Sequence, residues 1–170
     1  NENSKETFYI FRTIKSFTDE ERRPSYFPSV KYIKTIQKQR GISLLKIVDF
    51  NETKKWVQFE YVPGGTLYEL LYYGKKYPEP EIYQIILRIA GTLLSLHQNG
   101  ISHLDIRLES IIISHLENMP VLADTDMVVH QYKNREDYDD RFLIYLDPLF
   151  ESIENDSIRH DIYMFGVVIY

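Results

Sequence analysis

Two short segments hold the side chains best suited to chemistry. His103-Leu104-Asp105 follows a long apolar stretch and precedes the β-rich run Ile111-Ile112-Ile113. Val121-Leu122-Ala123-Asp124-Thr125-Asp126 comes after a short polar gap. Carboxylates so placed could take a proton from a hydroxyl or hold a hard divalent cation. Taken singly, a His or Asp of this kind is more often a surface or capping residue. Their order and spacing as a set point to a site.

The elements that must position them can be read from pattern. Residues 8–15 (FYIFRTIK) are aromatic and β-branched and read as a strand. Residues 18–28 read as a loop. Ser29 begins a helical pattern with Val30, Ile33 and Ile36 on one face, ending near Gly41. Ser43–Phe50 and Lys55–Val62 read as strands joined by a hairpin turn at Asn51-Glu52-Thr53. Pro63-Gly64-Gly65 punctuates the chain and marks a lobe boundary, and a short helix, Thr66–Tyr73, follows. In Glu81–Asn99 the residues Ile82, Ile85, Ile86, Ile89, Leu93 and Leu96 form a helical stripe, with Pro80 at its first turn and Gly100 past its end. Ile111–Ile113 and Val121–Ala123 read as a hairpin. Residues 131–142 read as an exposed loop, and Asp156 or Ser157 as the cap of a last helix.

Composition narrows the class. The chain has 170 residues, 44% hydrophobic and 26% charged, the profile of one soluble globular domain. Its net charge of −5 comes from mixed signs without a long basic tract, which argues against nucleic acid or an anionic membrane as partner. The lack of cysteine excludes disulfides and thiolate zinc sites and favours a cytoplasmic or nuclear setting. The polar start does not look like a signal peptide. Ile85–Leu96 is too short to span a bilayer. Both ends read as truncations, since the chain begins without Met and stops inside an apolar run.

The set as a whole resembles the protein kinase family, across nearly the whole chain. That family's catalytic loop reads H-R-D-L-x-x-x-N and is followed by D-F-G. Here stand His103-Leu104-Asp105-Ile106, with Ser110 in place of the Asn, and Asp124-Thr125-Asp126. Gln58–Leu67 looks like the hinge between lobes. Tyr145-Leu146-Asp147-Pro148-Leu149 lies where the family has A-P-E, and Asp161–Tyr170 resembles the start of the central helix of the large lobe.

The resemblance implies an α+β, two-lobed protein-kinase-like fold: residues 1–62 a partial small β-rich lobe, 63–170 a partial helical large lobe. It also implies roles. Asp105 would orient a substrate hydroxyl or accept its proton, and Arg107 would contact the transferring phosphate. Asp124 would hold Mg²⁺ against the phosphates of ATP, with Ser110 at the second metal position. Lys15 would pair with the α- and β-phosphates; a solvated lysine at a strand end is the competing reading. Backbone groups of Glu60 and Val62 would bind adenine, with Phe59 behind and Ile112 as the floor, roles compatible with core packing.

The chain also departs from the family. No glycine precedes Gly41, so a Gly-rich phosphate loop is missing, and Ser29–Gln39 has no Glu to pair with Lys15. Thr125 and Asp126 replace Phe and Gly, Leu149 replaces Glu, and Leu104 replaces Arg. Each lost charge contact would remove on the order of 2–4 kcal/mol of transition-state stabilisation, about 10²–10³ in rate. The expectation is a degenerate kinase domain, a pseudokinase that binds or regulates a protein partner. The alternative is an ATP-dependent protein kinase, Ser/Thr by default, acting on a protein substrate.

Overall fold

The computed structural model describes residues 9–13, 26–39, 41–54, 56–124, 140–149 and 153–170. Strands form where aromatic and β-branched residues are dense. β1 (Tyr9–Thr13), β2 (Ile47–Asn51) and β3 (Trp56–Glu60) make an antiparallel sheet in the order β1-β3-β2. Tyr9 lies opposite Glu60, and Asn51 opposite Trp56. The expected hairpin turn is present, closed by the Lys54 amide donating to Asn51 Oδ1 at 2.7 Å.

The helix expected from Ser29 to Gly41 is α1 (Tyr26–Ile36). It starts earlier because Pro28 sits in the first turn, where a missing N–H costs no helical hydrogen bond. Val30, Ile33 and Ile36 are buried, as their spacing requires. Just beyond, the Gln37 side-chain amide donates to Ile47 O and accepts from Ile47 N, both at 2.9 Å. A side chain thus serves the backbone at the start of β2.

Ser43–Phe50 is strand only from Ile47. Its first part turns to a different partner: Leu45 N donates to Leu122 O and Leu122 N to Ser43 O, both at 2.8 Å. Ser43 N also donates to Thr92 Oγ1 at 3.0 Å. These bonds fasten the first sheet to a second one, β4 (Gly64–Thr66), β5 (Ile111–Ser114) and β6 (Pro120–Leu122), antiparallel in the order β4-β5-β6. The hairpin expected at 111–123 is therefore present. The glycines expected only as punctuation lie in β4. A Cβ on Gly64 would collide with the Ile113 carbonyl, so the close strand approach requires glycine.

Thr66 caps α2 (Leu67–Tyr72) through a reciprocal pair. Glu69 N donates to Thr66 Oγ1 at 3.1 Å and Thr66 N to Glu69 Oε2 at 2.9 Å. α3 (Glu79–Gln98) has Pro80 in its first turn and ends before Gly100 at φ 72°. Ile89, Leu93 and Leu96 are buried, each stabilising by about 1.5–3 kcal/mol. The front of the same stripe, Ile82, Ile85 and Ile86, lines an apolar cavity of about 480 Å³ shared with α2 and α4 (Ile153–Ile169). α4 begins at Ile153, so Asp156 and Ser157 lie inside the helix and do not cap it.

Of the expected loop at 131–142, the last residues belong to a 3₁₀ helix, Asp140–Tyr145. Positions 131–139 lie outside the described residues. Among the described residues no helix is long and apolar enough to cross a membrane. The architecture is α+β, small antiparallel sheets with helices, as in a partial two-lobed fold.

Candidate active site

The loop from α3 to β5 carries Asp105, and a residue far along the chain holds it. Asp161 of α4 is completely buried. Its Oδ2 accepts the His103 amide at 2.6 Å and its Oδ1 the Leu104 amide at 2.7 Å. His97 Nε2, in the last turn of α3, donates to the same carboxylate at 2.7 Å. Leu104 needs this support, because its φ of 62° is left-handed. That conformation costs about 1–3 kcal/mol in a residue with a Cβ. Hydrogen bonds to a charged group contribute about 1.5–3 kcal/mol each, so the pair outweighs the strain.

His103 is buried and locks the loop from the other side. Its Nε2 donates to the Ala123 carbonyl at 2.8 Å, while its Nδ1 accepts the Asp105 amide at 3.3 Å. Those partners select the neutral tautomer with the proton on Nε2. The Ala123 amide returns to Ser110 O at 2.8 Å. The segment carrying Asp124 is therefore tied to the loop carrying Asp105.

Asp105 is buried but charged-paired. Arg107 Nε lies 2.8 Å from Asp105 Oδ1, and Nη2 donates to Oδ2 at 3.1 Å. The guanidinium thus spans both carboxylate oxygens. Burial pushes the Asp105 carboxyl above the usual carboxylate range, the neighbouring Asp124 adds to that, and Arg107 opposes it.

Ser110 is fully buried, and its hydroxyl faces backbone. Oγ donates to Arg107 O at 2.9 Å and accepts from Arg107 N at 3.1 Å. Asp124 is half-buried with φ 61°. Its carboxylate is of the type that takes a hard cation. Among the described residues no group of three or more His, Cys, Asp or Glu side chains could hold a metal.

On the nucleotide side, Phe59 is buried in the core and Glu60 ends β3. The Glu60 amide donates to Lys46 O at 2.9 Å, and Lys46 Nζ lies 3.2 Å from the Glu60 carboxylate. Val62 follows in irregular backbone, half-buried. Ile112 is half-buried between buried Ile111 and Ile113, on the same face as its cross-strand partner Val121. Lys15, Thr125 and Asp126 lie outside the described residues. None of the expected site residues lines the apolar cavity beside α3.

Where an A-P-E glutamate was expected, Leu149 is exposed, and the carboxylate is two positions earlier. Asp147 is buried, accepts the Leu149 amide at 2.9 Å and lies 3.3 Å from Arg159 Nε on α4. Tyr145 is also buried beneath the loop, its hydroxyl against the Leu108 backbone. Burial raises its pKa above the usual phenol value, and the nearby Glu109 carboxylate adds to this.

Sequence reading named Asp161 only as part of a helix and passed over His97, Asp147 and Arg159 as site residues. One signal was present: an acidic residue inside an apolar helical run has to meet donors, because a bare buried carboxylate is very costly.

The comparisons with known proteins agree with this geometry. The model of the protein kinase domain matches residues 2–170. A serine/threonine-protein kinase-like protein of Arabidopsis thaliana is 35% identical over 68% of this chain and 35% of its own length. The Aurora/IPL1-related protein kinase 2 of Caenorhabditis elegans is 28% identical over 71% of this chain and 40% of its own length. The serine/threonine-protein kinase ULK3 of Xenopus laevis is 24% identical over 99% of this chain and 36% of its own length. The chain thus spans between 35% and 40% of the length of these relatives. With a domain match over almost all its residues, the chain belongs to the protein kinase family.

Proposed function

We propose that this is a degenerate kinase domain, a pseudokinase that binds or regulates a protein partner, with phosphoryl transfer slow or absent. The observation that carries the reading is the grip of Arg107 on both oxygens of Asp105. A guanidinium laid on both oxygens occupies the positions from which the carboxylate would receive a substrate hydroxyl. The reading is supported by the sequence departures at positions 110, 125, 126 and 149.

A second reading has its own support. Asp124 lies close enough to Asp105 to help raise its pKa, a proximity that phosphoryl transfer requires of a base and a cation ligand. In that reading Asp105 positions the hydroxyl of a protein substrate and Arg107 turns toward the phosphate. Asp124 and Ser110 would face Mg²⁺, which would neutralise phosphate charge. Lys15 would hold the α- and β-phosphates of ATP, and Phe59, Glu60, Val62 and Ile112 would enclose adenine.

Phosphate transfer from ATP to a generic protein substrate, measured for the full-length parent and its Asp105→Asn variant, decides between them. Absence of transfer from folded parent is expected. Transfer that disappears in Asp105→Asn would overturn the pseudokinase reading. Thermal shift with ATP, with and without Mg²⁺, tests nucleotide binding separately.

A further inference from the structure

Ser110 stands where the family carries a metal-binding asparagine, yet its hydroxyl points away from any such task. It is completely buried and makes a two-way link to the backbone of one residue, donating to Arg107 O and accepting from Arg107 N. That link closes the turn over the short 3₁₀ helix Leu108–Ser110. Arg107 is extended, at φ −158° and ψ 169°, at the point where the turn starts. Its side chain leaves this fixed backbone and reaches Asp105, two residues back. Arg107 Nε is shut off from solvent, and the Arg107 side chain is 16% exposed.

A long guanidinium side chain has many rotamers, and holding it in one geometry loses conformational entropy. Anchoring the backbone from which it springs reduces the number of arrangements that must be given up. A single hydroxyl that satisfies both the N–H and the C=O of the same residue provides that anchor.

We propose that Ser110 is a positioning residue, a hydroxyl staple that aims Arg107 at Asp105 and so keeps a lock on the catalytic-loop carboxylate. Ser110 acts through Arg107 and does not touch a substrate. The assignment deepens the pseudokinase reading and rests on it only for the consequence that a locked Asp105 is closed to a substrate hydroxyl.

The test is an NMR measurement on the full-length parent with ¹⁵N-labelled arginine. The readout is the rate at which the Arg107 Nε–H proton exchanges with water, the signal being assigned by its loss in Arg107→Lys. In the unaltered chain this exchange is expected to be slow. In Ser110→Ala it should quicken by about tenfold, since two hydrogen bonds to one backbone residue are removed. Ser110→Thr, which keeps the hydroxyl, should restore slow exchange.

Ser102→Ala is the control. It removes another half-buried hydroxyl of the same loop, bonded to Ser157 Oγ at 2.7 Å and not to Arg107. Thermal melts of all variants place them on one stability scale. If Ser110→Ala exchanges at the original rate, the proposal is overturned. It is equally overturned if Ser102→Ala, at a matched loss of stability, quickens exchange as much, because the effect would then be general loosening. Because no nucleotide is added, failure of ATP to bind or of phosphate to transfer bears on the kinase readings and leaves the staple standing.

Discussion

The loop that carries Asp105 and the first sheet are held by different forces. Around the loop, buried charge does the holding. Asp161 takes three hydrogen bonds in a solvent-free position, and Asp105 is paired with Arg107. Around the sheet, apolar contact does it: Val30, Ile33, Ile36, Val57 and Phe59 are all buried, whereas the ion pairs are exposed. Lys31–Glu52, at 2.7 Å, has side chains 61% and 47% exposed. The lesson concerns tolerance. A sheet held by apolar area accepts many sequences of suitable size. A loop built on buried donors and one acceptor accepts very few.

That contrast can be broken most sharply at Asp161. Asp161→Ala leaves the His103 and Leu104 amides and the His97 ring without their acceptor, and it removes support for a left-handed Leu104. A loss of about 3–5 kcal/mol is expected in denaturant unfolding. A loss below 1 kcal/mol would mean that the loop is not held by this carboxylate.

Next comes Ile33→Ala, which opens a cavity between α1 and the sheet. The expected loss is about 2–4 kcal/mol by the same measurement, and Ile33→Val should recover most of it. Recovery by volume alone marks packing as the cause.

The third prediction concerns pH. The folded-state pKa of Asp105 is raised, chiefly by burial. An acid with a raised pKa favours folding while it is protonated, and that contribution is lost as pH rises through the folded pKa. Asp105→Asn removes the penalty, so the variant should melt higher than the parent at neutral pH. The difference should shrink as pH falls toward the ordinary range for Asp. Melting curves between about pH 4 and 8 check both the sign and the trend. A variant less stable than the parent at neutral pH would mean that the Arg107 pair outweighs burial.

The smallest effect belongs to the exposed pairs. Lys31→Ala should change stability by less than about 1 kcal/mol, and the change should shrink further in high salt. A larger change would bring the two regions closer in kind than their burial suggests.

Much of this was legible in the residues themselves. The Asn51-Glu52-Thr53 turn, the two-strand runs on either side and the stripe of α3 follow from local chemistry, and all three are present. Boundaries were less legible where a long-range partner intervened. Ser43–Lys46 carries a strand-like pattern, but the Ser43 carbonyl and the Leu45 amide are claimed by Leu122, far along the chain. Ile153 begins α4 ahead of the polar residues that looked like its cap.

The candidate site divides in the same way. Residue type and order alone determined that His103, Asp105 and Asp124 form one constellation and that its pattern is a kinase pattern with losses. Those are local statements about which side chains occur and how far apart. Only the tertiary structure decided what each side chain does. It put Asp161 of α4 under the loop, turned the Ser110 hydroxyl onto Arg107, and laid the guanidinium across Asp105. Asp161 reaches the loop from more than fifty positions away, which sequence spacing does not reveal, and for the near neighbours Asp105, Arg107 and Ser110 the rotamers that make them meet are set by burial in the folded loop.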